Sequence, residues 1–269
     1  MKTRFFSGAV LALLVLSAML LGGYVLKAVL YFCIAFCTYE VYTAFKQTNI
    51  HISRLVCIEF VVALPLFITF FGVKGILVHF MITGLLILVV KVFRADLTME
   101  NTAYSFFTLF YPCMLMAVLP LMMTLPGEGG RASITFTLLI ASVTDVACYF
   151  VGSMFGKHKL CPAISPKKTV EGAFGGVIGG TLTGIIMYFL VPLLFKIELP
   201  LWSTLVVSLV CSVVSQFGVL AASIIKRSTG IKDFGKIIPG HGGLMDRADS
   251  IMFVAPVVYF FFSVIVFSV

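Results

Sequence analysis

Stretches of about twenty apolar residues, each closed off by glycine, proline or charge, recur along this 269-residue chain and leave few folds open to it. A helix of roughly that length crosses the hydrocarbon core of a bilayer. Only helices and closed barrels satisfy their backbone polar groups there. The runs fall at residues 5–21, 24–45, 54–72, 75–93, 104–124, 132–155, 170–195, 201–226 and 249–268. With 61% hydrophobic residues, the chain carries more apolar surface than a water-soluble domain, where about 45–50% is usual. The expectation is an all-α, polytopic integral membrane protein with about nine transmembrane helices. The first run follows Lys2 and Arg4, as a secretory signal would. It lacks a small-x-small cleavage site and further runs follow at once, so it reads as a retained helix.

Charge placement orients these runs. With the N-terminus inside, Lys2, Arg4, Lys46, Arg54, Lys91, Arg94, Lys157, Lys159, Lys167, Lys168, Lys226, Arg227, Lys232, Lys236 and Arg247 fall on the cytoplasmic side. Lys27, Lys74, Arg131 and Lys196 fall outside. Fifteen of the 19 basic residues on one side is the positive-inside pattern, so the N-terminus is expected in the cytoplasm and the C-terminus outside. The two longest polar segments, 156–169 and 227–248, then share the cytoplasmic face. The expected organisation is a single membrane domain, 1–269, with amino-terminal helices 1–131 and a working half 132–269. The net charge of +8 fits cytoplasmic loops and an anionic substrate or leaflet, with no nucleic acid as partner. The seven cysteines form no CxxC pair or His/Cys metal spacing and read as small interior residues.

Two constellations carry chemistry. Asp145 is a carboxylate inside the sixth apolar run, a functional candidate by position, with a hydrogen-bonded structural acid as the alternative. The loop after that run holds Lys157 and Lys159, which read as topology anchors. Ser165-Pro166-Lys167-Lys168-Thr169 follows, where two cations and two hydroxyls converge before Glu171 and suit a phosphate near a helix start. Gly172, Gly175, Gly176, Gly179, Gly180 and Gly184 have the spacing of a helix-packing face. The second constellation runs from Ser223 to Asp249. Its Gly240-His241-Gly242-Gly243 turn leads to Asp246, Arg247 and Asp249, and such a turn brings backbone N–H groups close to phosphates. Asp246 and Asp249, three apart, would share a helix face. They suit a Mg²⁺ held by few protein ligands plus substrate phosphates, or a helix-start capping pattern. His241 is a base, a turn residue or, as favoured here, a phosphate contact. Glu40 and Glu59 are expected to pair with Lys46 or Arg54, and His79 to be a hydrogen-bonded interior residue.

Ser223-x-x-Lys226-Arg227, Lys232-Asp233-x-Gly235 and Pro239-x-His241-Gly242-Gly243-x-x-Asp246-Arg247-x-Asp249 together resemble the signature of the CDP-diacylglycerol synthases, or phosphatidate cytidylyltransferases. Asp145, Gly156-Lys157-His158-Lys159-Leu160, Ile164 to Thr169 and Glu171-Gly172 resemble that family's second block. The resemblance covers about the carboxy-terminal half and implies a Mg²⁺-dependent transfer of CMP from CTP to phosphatidic acid at the cytoplasmic face of the cell (inner) membrane. It implies metal ligands Asp145, Asp246 and Asp249, and phosphate contacts at Lys167, Lys168, Lys226 and Arg227. It also implies a catalytic role for His241 and substrate contacts at Ser165, Thr169, Ser223, Lys232, Gly242, Gly243 and Arg247. A homodimer stays open. The family reads Gly-Asp-Leu-x-Glu-Ser where this chain reads Gly218-Val219-Leu220-Ala221-Ala222-Ser223. The missing acids at Val219 and Ala222 imply an impaired metal site. The rival from another class is a secondary transporter, which a buried Asp and interrupted helices would fit. The polar residues crowding one face speak against it. The DGxxAR…GxxxDxxxD pattern of the CDP-alcohol phosphatidyltransferases does not occur.

Overall fold

The computed structural model describes residues 2–48, 50–93, 98–235, 237 and 242–268, with residues 2–7, 9 and 11 described by backbone only. Among the described residues the chain is mostly helical, and six continuous helical stretches are long and apolar enough to cross a membrane: 23–46, 54–93, 99–122, 129–155, 170–195 and 201–228. Shorter apolar helices cover Ala12–Leu21 and Ile251–Val266. Large apolar side chains such as Leu55, Phe93, Leu193 and Trp202 are exposed, as lipid-facing surfaces require. These are the features of a membrane protein. The chain divides into two compact units, Met1–Thr124 with Ser228–Ala248, and Leu125–Arg227 with Asp249–Val269.

In the first unit, α1 (Lys2–Leu21) and α2 (Gly23–Lys46) precede α3 (Arg54–Phe93), a 40-residue helical stretch broken at Gly72. Gly72 has φ 55° and ψ −130°, a region that side-chain-bearing residues avoid. The two legs fold back on each other antiparallel. The His79 ring stacks between Phe60 and Phe67, with centroids 4.6 and 4.4 Å away, and Thr83 donates to Glu59 Oε2 at 2.9 Å. The two apolar runs expected at 54–72 and 75–93 are the legs of this hairpin. Glu59 does not pair with Lys46 or Arg54 as expected. It accepts from Thr83 and lies 3.8 Å from His79 Nδ1, because the hairpin brings those groups closer than any basic side chain. His79 is fully buried and bonds the Phe60 carbonyl, as expected of an interior histidine. Next come α4 (Met99–Thr108), capped by the Thr98 hydroxyl, a π-helical turn at Leu109–Met114 around Pro112, and α5 (Leu115–Met122). Phe45, Phe60, Leu64, Leu109 and Met116 fill this unit's interior.

In the second unit, α6 (Gly129–Phe155) lies along α7 (Val170–Phe195), with α8 (Leu201–Ser228) beyond it. Gly172, Gly175, Gly176 and Gly179 of α7 abut Cys148, Val151 and Ala147 of α6, while Gly180 and Gly184 abut Ser212 and Ser208 of α8. The packing role expected of the glycines is what the helices display. After α9 (Met245–Ala248), which belongs to the first unit, α10 (Ile251–Phe260) and a final π-helical turn bring Phe261 and Phe262 against Phe136, both at 5.9 Å between centroids.

The mostly helical expectation holds, with one short exception. Residues 159–169 form a β-hairpin of β1 (Lys159–Cys161) and β2 (Ser165–Thr169), paired Lys159 with Thr169 and Cys161 with Ser165. Pro166 favours extended backbone, and pairing satisfies amides that no helix reaches.

Candidate active site

The second unit collects four polar groups near one another. Asp145 projects from α6, Lys168 from β2, and Asp249 and Ser250 form the turn before α10. The Ser250 hydroxyl donates to Asp145 Oδ2 at 2.9 Å, and the Ser250 backbone N–H donates to Asp249 Oδ1 at 2.8 Å. Asp249 is buried at 6% exposure. Burial pushes the Lys168 ammonium below the ordinary lysine value, while the negative charge of Asp145 and, less strongly, Asp249 pulls it back up. Gly218 of α8 lies against the Asp249 carbonyl, and a Cβ there would collide with it. The α8 backbone therefore helps to set the height of the turn.

Around this group the hairpin is anchored at both ends. Thr169 caps α7 by accepting the Gly172 N–H at 3.2 Å. Glu171 accepts the N–H groups of Lys157 and His158 at 3.1 and 3.2 Å, and His158 Nδ1 sits 2.7 Å from it. Arg227, in the last turn of α8, donates from Nε to the Ile164 carbonyl at 3.2 Å and holds the hairpin tip. Lys226 shares that turn, where cations complement the negative helix end. Ser165 and Lys167 lie on β2, with Lys167 exposed. The Ser223 hydroxyl donates to the Val219 carbonyl within α8 at 2.8 Å. Val219 is half-buried and Ala222 buried on that helix.

The other predicted residues lie in the first unit. Asp246 Oδ2 accepts the N–H groups of Phe234 at 2.9 Å and Gly243 at 3.0 Å, which closes a loop that carries Gly242 and Gly243 and follows the exposed Lys232. Arg247 is exposed on α9. His241 and Lys236 lie outside the described residues. The shared helix face expected for Asp246 and Asp249 is not formed. α9 ends at Ala248 and Asp249 stands in the following turn, because the chain breaks between α9 and α10 where the Ser250 contacts intervene. Glu40 likewise departs from its expected lysine or arginine partner. Its carboxylate accepts the Leu244 and Met245 N–H groups.

Among the described residues no three His, Cys, Asp or Glu side chains cluster as a metal cage. Mg²⁺ does not need one, since it keeps waters and takes one or two carboxylates plus substrate phosphates. Asp145 and Asp249, joined through Ser250, are a donor set of that type. Ser250, Glu171 and Glu40 hold these groups in place by hydrogen bonds, and none of them stood among the candidate site residues read along the chain. Glu171 sat visibly inside a motif, whereas no spacing rule singles out a lone serine or an acid 204 residues from its partner.

The sequence pattern of the cytidylyltransferase family matches residues 2–265. A phosphatidate cytidylyltransferase of Staphylococcus epidermidis is 46% identical over 127 residues, 47% of each chain. Those of Staphylococcus haemolyticus and Staphylococcus aureus are 43% identical over 129 and 127 residues, covering 48% and 47% of each chain. In these matches the chain spans about half the length of its relatives. None of these names describes a transporter, and the transporter alternative finds no support. Matched along nearly its whole length, and with acids, lysine and hairpin gathered as described, the chain belongs to the cytidylyltransferase family.

Proposed function

We propose that this chain is a phosphatidate cytidylyltransferase that joins CTP to phosphatidic acid, giving CDP-diacylglycerol and pyrophosphate, on the cytoplasmic side of the cell membrane. The observation that carries the reading is the link from Asp145 to Asp249 through Ser250, with the half-buried Lys168 under the influence of both acids' charge. The names of the relatives support the choice of substrates.

In the proposed reaction a phosphate oxygen of phosphatidic acid attacks the α-phosphorus of CTP. A P–O bond forms there, the α–β bridge breaks and pyrophosphate departs. Little covalent work falls to the protein, so positioning and charge neutralisation dominate. In the second unit Lys168, Lys167, Lys226 and Arg227 would neutralise phosphate oxygens, while Gly242, Gly243 and Lys232 of the first keep the substrate-contact role that their motif implies. Asp145 and Asp249 would hold Mg²⁺, with Asp246 keeping the glycine-rich loop in shape. Bound there, Mg²⁺ supplies charge neutralisation to the reacting phosphates. Val219 in place of an acid makes weak metal binding the expected behaviour of this chain.

The same proposal takes about nine spans with the N-terminus inside. The antiparallel legs of α3 support counting it twice, and the basic residues at 157–168 and 226–227 support the side. A homodimer is one assembly that fits the reading.

The test is pyrophosphate release by the detergent-purified full chain with CTP, phosphatidic acid and Mg²⁺. Release that depends on both substrates and disappears with EDTA and in Asp249→Asn upholds the proposal. Folded protein that releases nothing at saturating Mg²⁺, alone and as Val219→Asp, sinks it.

A further inference from the structure

Glu40 lies on α2, far in sequence from every motif residue, and is buried at 2% exposure. A buried carboxylate is costly unless its oxygens are bonded. Here both are: Oε1 accepts the Leu244 N–H at 3.1 Å and Oε2 the Met245 N–H at 2.8 Å. Those amides open α9, whose four residues are too few to sustain a helix unaided. Gly235 and Gly243 crowd the same carboxylate, and a Cβ on either would collide with its oxygens. The Asp246 carboxylate meanwhile takes the Phe234 and Gly243 amides. Two acids therefore hold the described ends of the glycine-rich loop by charge-assisted hydrogen bonds, and Glu40 ties it to the long helix α2.

We infer that Glu40 is a positioning residue that presents the Gly242-Gly243 loop to the nucleotide. Glutamine at this position offers one acceptor and turns an NH₂ group toward a backbone N–H. Aspartate keeps both acceptors one methylene short. The kinetic consequence rests on the cytidylyltransferase reading; the structural one does not.

The experiment compares the full-length wild type with Glu40→Gln, Glu40→Ala and Glu40→Asp in two readouts. By hydrogen exchange, peptides spanning 232–246 should exchange faster in Glu40→Gln and Glu40→Ala while α6 and α7 keep wild-type protection. By pyrophosphate release, kcat/KM for CTP should fall about tenfold in Glu40→Gln, recover in Glu40→Asp, and leave the KM for phosphatidic acid unchanged. Unchanged exchange over 232–246 in Glu40→Ala overturns the inference. So does faster exchange spread evenly through all helices, which marks a general structural role. A wild type without pyrophosphate release overturns the proposed reaction, and the exchange data alone then decide the role of Glu40.

Discussion

The Ser250 hydroxyl donates to Asp145 Oδ2 at 2.9 Å, so the turn before α10 is bonded to an acid inside α6. The same serine's backbone N–H bonds Asp249 Oδ1 at 2.8 Å. One small residue thus sets the relation of two carboxylates that lie 104 positions apart in the chain, 249 against 145.

Removing that hydroxyl should matter to both fold and chemistry. Ser250→Ala leaves Asp145 without this donor in a site where Ser250 itself is buried at 3% exposure. The expected loss is about 1–2 kcal/mol of stability, read by thermal unfolding in detergent. Turnover should fall about tenfold or more, the usual effect of losing a group that orients metal-binding acids. Full activity in Ser250→Ala would separate Asp145 from the reaction.

Lys168 should set the alkaline limit of activity. Burial is the larger influence and lowers its folded pKa below the usual 10.5, so the ammonium loses its proton at a lower pH in the fold than in the free chain. If the cation neutralises phosphate, activity falls as pH rises through that lowered value. Lys168→Arg keeps its charge over the same range and should move the limb upward, whereas Lys168→Met should lower activity at every pH. A pH profile of pyrophosphate release checks this.

Val219→Asp should strengthen metal use. Position 219 follows Gly218, which abuts the Asp249 carbonyl, and is half-buried on the same helix. An added carboxylate there should lower the Mg²⁺ concentration for half-maximal activity about tenfold. A Mg²⁺ titration of the two forms reads it directly, and superimposable curves would place residue 219 beyond the metal's reach.

Glu171 should govern the mobility of the β-hairpin. Its carboxylate gathers the Lys157 and His158 amides and His158 Nδ1. Glu171→Ala should expose Lys157 and Lys159 to trypsin, with cleavage about threefold faster than in the wild type. Helices α6 and α7 should stay intact, since their glycine contacts do not involve this carboxylate.

Much of this was legible along the chain. Apolar runs mark helices because lipid leaves a backbone no other open way to bond its amides. Gly72 separates two runs at the position where the chain reverses, and the glycine spacing of α7 is the packing spacing seen against α6 and α8. Lys168, Asp145 and Asp249 stood out along the chain as candidates, because ionisable residues in an apolar chain are conspicuous. The hairpin at 159–169 was not, since five residues around a proline carry too short a pattern to announce a strand.

The sequence by itself determined the membrane class, the helices and the residue types able to meet phosphate and metal, all of which depend on local composition and period. Tertiary structure alone decided who holds whom. Asp249 leaves the helix that Asp246 occupies, Ser250 joins Asp249 to Asp145, and Glu40 reaches the loop ahead of Asp246. The Ser250–Asp145 and Glu40 bonds cross long sequence separations, and their partners are chosen by helix packing and by the cost of a buried acid left unbonded.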